Sequence, residues 1–224
     1  MRHISSFDFG LTDFAGRFHQ DWGYEGSAEE LVGRLLGPET DPSVVEELRS
    51  DASLMRSRLT TEEIETLWAA GTGGNFRFGP DGAWPSGSAW LDRISEACDW
   101  WLNTYGAPDP QPELAPDLTD AVDAEITAMT ASLPEPMDPG RAVAEALHRC
   151  VRACSPDLAL RWSLRIAGQR RWPLERGQYE RLIALGELLE YGEFIVSDVE
   201  FLVVGRESEE SVWPSATTGS SICT

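Results

Sequence analysis

Ser27-Ala28-Glu29-Glu30-Leu31-Val32-Gly33-Arg34-Leu35-Leu36-Gly37-Pro38 decides the fold class. Ser27 followed three residues later by Glu30 is a capping box, in which each side chain satisfies a backbone N–H that the first helical turn leaves open. Leu31, Val32, Leu35 and Leu36 recur at the spacing of one helix face. Gly37-Pro38 stops the helix, because proline cannot continue the hydrogen-bond ladder. The same grammar runs outward in both directions. Asp41 before Pro42 is an N-cap with proline at the first helical position, opening a helix with Val44, Val45, Leu48 and Met55. Thr60 and Glu63 form a second box before Ile64, Leu67 and Trp68, with Gly71 as the stop. Trp90, Leu91, Ile94, Cys98, Trp101 and Leu102 mark another helix, and Phe9, Leu11, Phe14, Phe18 and Trp22 an opening helix with an aromatic stripe. Further helices are expected near 117–132, 138–153, 156–169, 175–191 and 197–204, the last opened by Ser197 with Glu200. The fold class predicted is all-α.

Gly106-Ala107-Pro108-Asp109-Pro110-Gln111-Pro112-Glu113-Leu114-Ala115-Pro116 carries four prolines, which forbid helix and favour an extended connector. It predicts two small helical modules, 1–105 and 117–204, joined by the Pro-rich linker 106–116. Residues 205–224, rich in Ser, Thr and Glu, read as a loose tail. Residues 72–87 alternate glycines with Phe76, Phe78 and Trp84 around a Pro80-Asp81-Gly82 turn. They predict an ordered loop pinned by its aromatic residues, or a short hairpin.

The charge balance narrows the function. All 18 basic residues are arginine, against 38 carboxylates, for a formal charge of -20. Residues 1–116 carry 8 arginines against 20 carboxylates, or -12, and residues 117–224 carry 10 against 18, or -8. So acidic a surface repels phosphate backbones and anionic lipid, which argues against direct contact with nucleic acid or a membrane, and it attracts a basic protein. Within it, residues 141–181 hold nine arginines against four carboxylates, a local +5. Arg149, Arg152, Arg161 and Arg165 follow helical spacing, as on a solvated face, and docking of this stretch on the acidic N-terminal half is an equal reading. No apolar run reaches the ~20 residues of a membrane span, and the first residues lack a secretion signal, so the expected compartment is the cytoplasm.

Signs of chemistry are sparse. His19 and Asp21 are two residues apart and on a helix would point in nearly opposite directions, which makes a poor acid–base pair. Cys150 and Cys154 share a helix face, but only His148 lies near them, offset around the helix, so packing cysteines are expected and no metal. No nucleotide, cofactor or nucleophile motif is present, and the expectation is a non-enzyme without cofactor. Trp100 and Trp101 are adjacent, so a helix cannot bury both on one face, and one is expected at the surface, where tryptophan favours binding.

Phe18-His19-Gln20-Asp21-Trp22, the acidic glycine-containing segment after it, and the Ser27-Ala28-Glu29-Glu30 helix start resemble the immunity proteins of contact-dependent growth inhibition systems. The order continues through Asp41–Arg58, Thr60–Ala70, the Gly79-Pro80-Asp81-Gly82 loop and the Trp- and Leu-rich helix Ser88–Tyr105, so the resemblance spans about residues 4–105. It implies a helical protein that neutralises the toxic domain of a partner, often a nuclease, by occlusion. A cognate toxin domain with a basic surface is therefore the expected partner, and Asp21, Trp22, Tyr24, Glu25, Asp81, Trp84 and Trp100 are the expected contact residues. A helical adaptor without a toxin partner is the competing reading.

Overall fold

The computed structural model describes residues 7–109, 117–131 and 138–204; residues 110–116 of the connector and the predicted tail lie outside the described residues. The chain is all-α: α1 Gly10–Gly16, α2 Ala28–Leu35, α3 Pro42–Arg58, α4 Thr61–Gly71, α5 Gly87–Tyr105, α6 Thr119–Ala131, α7 Asp138–Ala153, α8 Pro156–Arg170, α9 Arg176–Leu188 and α10 Glu193–Ser197. Among the described residues the only β features are two isolated bridges, Phe78 to Trp84 and Leu174 to Val203.

The caps work as their chemistry requires. Both capping boxes form: Glu30 N–H donates to Ser27 Oγ while Ser27 N–H donates to Glu30, and Thr60 and Glu63 repeat the exchange. Asp41 caps α3 by accepting from Ser43 N–H at 2.8 Å, with Pro42 at the first helical position. Two helices close on a non-glycine residue in the left-handed region. Arg171 (φ 53°) ends α8 and Glu190 (φ 55°) ends α9, each followed by a backward backbone bond, Trp172 N–H to Ala167 O and Tyr191 N–H to Gly186 O.

Two predicted helices are cut short. The opening helix stops at Gly16, and Trp22 falls in a separate 3₁₀ turn, Trp22–Tyr24. The aromatic stripe survives without a continuous helix: Phe14, Phe18 and Trp22 still make successive edge contacts at 5.3 and 5.1 Å. At the other end, the helix predicted over 197–204 is replaced by α10, which ends at Ser197, and a 3₁₀ turn, Glu200–Leu202. The backbone there is spent on pairing: Leu174 N–H donates to Leu202 O at 3.0 Å and Val204 N–H to Leu174 O at 2.9 Å.

The core is a single hydrophobic cluster fed from both sides of the connector. α3 packs along α5, α1 lies across α3, α4 and α8, and α4 sits between α5 on one side and α7 and α8 on the other. At its centre Trp68 meets Phe14, Phe76, Trp90 and Trp162 with ring centroids 5.8–6.4 Å apart, in tilted or edge-on geometries favoured by the ring quadrupoles. Trp162, from α8, also donates from Nε1 to Met55 Sδ of α3 at 3.2 Å.

Beside the aromatic cluster lies a buried ionic one. Arg161, 2% exposed, holds both Asp51 oxygens at 2.9 and 3.0 Å, Asp157 at 2.8 Å, the carbonyl of Phe9 at 3.0 Å and Thr12 Oγ1 at 3.1 Å. Its guanidinium carbon also lies 4.1 Å over the Phe9 ring. Burial works against the charge of Arg161, but the Asp157 and Asp51 carboxylates outweigh it and hold its pKa well above the usual value. Burial raises the Asp51 carboxyl, against the pull of Arg161. Of the four arginines expected on a solvated face, Arg149 and Arg152 are exposed, whereas Arg161 is sealed inside because its carboxylate partners are inside with it.

Candidate functional site

Residues 18–25 and the loop 72–87 form one continuous surface. Phe18 is fully buried and turns the chain out of α1, and Trp22 then lies half-buried across the loop, stacked on Phe76 at 5.8 Å. Its Nε1 donates to Asn75 O at 2.9 Å. Phe76 is completely buried and carries Phe78, 5.1 Å away, to its bridge with Trp84, and Trp84 rests on Trp90 of α5 at 4.9 Å. The loop is thus pinned by its aromatic side chains, as its composition predicts. Gly79 (φ 101°) accepts the return of the turn through Gly82 N–H to Gly79 O at 3.0 Å.

On this pinned scaffold the polar groups face out. Asp21, Glu25 and Asp81 are exposed, and Tyr24 is 92% exposed, its ring offered almost whole to solvent. Glu25 is positioned by His19 Nε2 at 3.0 Å and by Arg34 at 3.8 Å. His19 Nδ1 in turn accepts Asp21 N–H at 3.2 Å, so the imidazole props up the backbone and pairs with Glu25, with no side-chain link to Asp21.

Trp100 stands apart from this group. It is 62% exposed while Trp101 is 1% exposed and donates from Nε1 to Gly37 O at 2.9 Å, which is the division that adjacency demands. Ten residues separate Trp100 from Trp90, about 15 Å along a helix axis, so the predicted contact residues fall on two surfaces.

Other features singled out in the sequence resolve as packing. His148 Nδ1 meets Asp123 Oδ1 at 2.7 Å, with Arg152 on the other Asp123 oxygen at 2.7 Å, which ties α7 to α6. Among the described residues no group of three His, Cys, Asp or Glu is placed to hold a metal ion. Within the Arg-rich stretch 141–181, Trp172 is buried. Among the described residues no helix is long and apolar enough to cross a membrane.

Two constellations escaped the sequence reading. One is the Arg161–Asp51–Asp157 cluster, whose trace was present: Asp51 interrupts the apolar face of Leu48, Ala52 and Met55, and Arg161 lies between Leu158 and Trp162. The other is a cavity of about 340 Å³ beside it, lined among others by Phe7, Asp8, Arg165, Phe194, Asp198 and Phe201. These residues come from distant parts of the chain, and no local spacing announces them. No family model, curated protein or solved structure matches the chain.

Proposed function

We propose that the chain is an immunity protein: in the cytoplasm it binds the basic face of a cognate toxin domain and blocks it by occlusion. The observation that carries this reading is the exposure of Asp21, Tyr24 and Glu25 on backbone that Trp22 and Phe76 hold in place, with Asp81 exposed on the loop that Phe76 anchors. Exposed carboxylates beside an exposed aromatic residue on ordered backbone suit a cationic partner, which Asp21 and Asp81 can meet directly, while the aromatic supplies buried area at small entropic cost. The resemblance of residues 4–105 to growth-inhibition immunity proteins supports the same reading, as does the -20 charge, which matches a cleft built for phosphates. Occlusion requires no chemistry, only complementarity.

The test is co-expression of the full chain with the toxin domain encoded immediately upstream. Growth should be restored and the two should co-purify, with an association rate that falls as salt rises. Tyr24→Ala with Glu25→Arg should weaken the complex by about 10- to 100-fold. Absence of both a complex and protection sinks the reading.

A further inference from the structure

We propose that Cys154 is a peroxide-sensitive thiol that Cys150 resolves into a disulfide, which makes the end of α7 a reversible modification site. The starting point is two thiols one helical turn apart. Cys154 N–H donates to Cys150 O at 2.9 Å, closing the last turn of α7, so their Cα atoms stand about 6 Å apart. That separation lies within the range a disulfide spans. The side chains meet as well, through a hydrogen bond between the Cys150 and Cys154 thiols. On a regular helix, Cβ atoms one turn apart stand about 5–6 Å from each other, and a disulfide asks for about 3.5–4.5 Å. The difference falls on Cys154, which follows the last residue of α7, Ala153, and precedes the N-cap of α8, Ser155. A residue between two helices can make that shift at the expense of one terminal hydrogen bond.

The two cysteines divide the roles. Cys150 is fully buried, whereas Cys154 is partly exposed at the α7–α8 turn, open to a molecule as small as peroxide. The thiolate is the nucleophile in thiol chemistry, so attack begins where it forms most readily. The hydrogen bond from Cys150 lowers the Cys154 thiol against the effect of burial, and the Arg58 cation lowers it further. Cys98, buried in the core with its thiol pushed up to about 12, has neither the exposure nor the thiolate.

The Cys154 thiolate, its proton given to solvent, attacks one oxygen of hydrogen peroxide. The S–O bond forms as the O–O bond breaks, and the departing hydroxide takes up a proton and leaves as water. Sulfur is oxidised to the sulfenic acid and the peroxide oxygen is reduced. The Cys150 sulfur then attacks the Cys154 sulfur. The S–S bond forms, the S–O bond breaks, and the second hydroxide leaves as water with the Cys150 proton. Two thiols and one peroxide thus give one disulfide and two waters. Holding Cys150 against Cys154 makes this closure outrun further oxidation. The disulfide carries no S–H, so Cys154 gives up its contact with Leu54 O, at 3.9 Å, between the α7–α8 turn and α3. A small thiol restores both cysteines by exchange, entering at the exposed sulfur.

Peptide mapping of the full chain after exposure to hydrogen peroxide tests the assignment, in a Cys223→Ser background that removes a competing thiol. Trypsin cuts after Arg149, Arg152 and Arg161, so Cys150 and Cys154 leave on separate peptides, 150–152 and 153–161, unless a disulfide joins them. The joined pair should appear, lighter by two hydrogens than the sum of its parts, and dithiothreitol should separate it. Cys150→Ala leaves Cys154 without its resolving thiol, and capture of the sulfenic acid by dimedone should then rise about tenfold or more over the parent. Cys154→Ala should leave Cys150 unmodified. If the Cys150 variant fails to fold, the joined peptides of the parent decide. Oxidation of Cys98 or Cys150 ahead of Cys154, a sulfinic acid at Cys154 with no link to Cys150, or a chain left unmodified by peroxide overturns the assignment.

Discussion

Trp162 of α8 lies with its indole against Gly71, the last residue of α4: a Cβ at residue 71 would stand 3.0 Å from Cε3 and closer still to Cζ3. The indole cannot retreat, being fully buried between Trp68 and Met55. Gly71→Ala should therefore destabilise by about 1–3 kcal/mol, the cost of overpacking, although alanine is the better helix former. For a chain of this size that corresponds to a fall in Tm of about 2–12 °C, measured by calorimetry. An unchanged Tm would show that the two helices are free to separate.

Arg161 and Asp51 should be strongly coupled. Arg161→Met leaves the Asp51 carboxylate buried without its cation and should cost about 3–5 kcal/mol in urea unfolding. Asp51→Leu alone should also destabilise, because Leu11 N–H loses its acceptor at 2.9 Å as Arg161 loses its partner. The double variant should cost less than the sum of the two. Additive losses would mean that the ion pair contributes nothing beyond its separate members.

Asp123 gives a pH dependence with a definite sign. Burial opposes its charge, but hydrogen bonds from His148 and Arg152 outweigh it and hold the carboxyl below its usual 3.8. A depressed carboxylate contributes stability that is present above 3.8 and is lost as pH falls through the lower folded value. Asp123→Asn should be less stable than the parent by about 1–2 kcal/mol at pH 5. That gap should close as pH falls below 3.8 in thermal melts, and a gap that widens on acidification would refute the assignment.

The cysteines should differ in reactivity. Burial pushes the Cys98 thiol up to about 12, so at pH 8 only about one molecule in 10⁴ carries the thiolate. Cys150 is fully buried and raised well above the ordinary value, first by its hydrogen bond to Cys154 and then by burial. That same hydrogen bond lowers Cys154, which is partly exposed. In a Cys223→Ser background, iodoacetamide at pH 8 should label Cys154 first, read by peptide mass spectrometry. Prior labelling of Cys98 would contradict this burial pattern.

The helices were legible wherever local chemistry decides them. Ser27 with Glu30, Asp41-Pro42 and Thr60 with Glu63 fix helix starts through bonds that span three residues at most, and all three were read to the residue. Trp100 and Trp101 were equally readable, since one helix cannot bury neighbours on the same face. Segments governed by distant partners were not. The chain beyond Ser197 abandons the helix because Leu174 claims its backbone, and Arg161 enters the core because Asp51, 110 residues earlier, is there to receive it. Of the candidate surface, the pinning of 72–87 by Phe76 and Trp84 was foreseeable from composition. Its fusion with residues 18–25 rests on the Trp22–Asn75 bond, across 53 residues.

The sharing of Trp68, Trp162, Asp51 and Arg161 between the segments before and after the connector has a consequence for covalent continuity. If the core, rather than the peptide link at 106–116, holds the segments together, then the link acts mainly by raising the effective concentration of one segment around the other. Encoded as two separate polypeptides cut within that link, the pieces should reassemble as a heterodimer whose melting point rises with concentration, while either piece alone would present the apolar surface around Trp68 or Trp162 to water and aggregate.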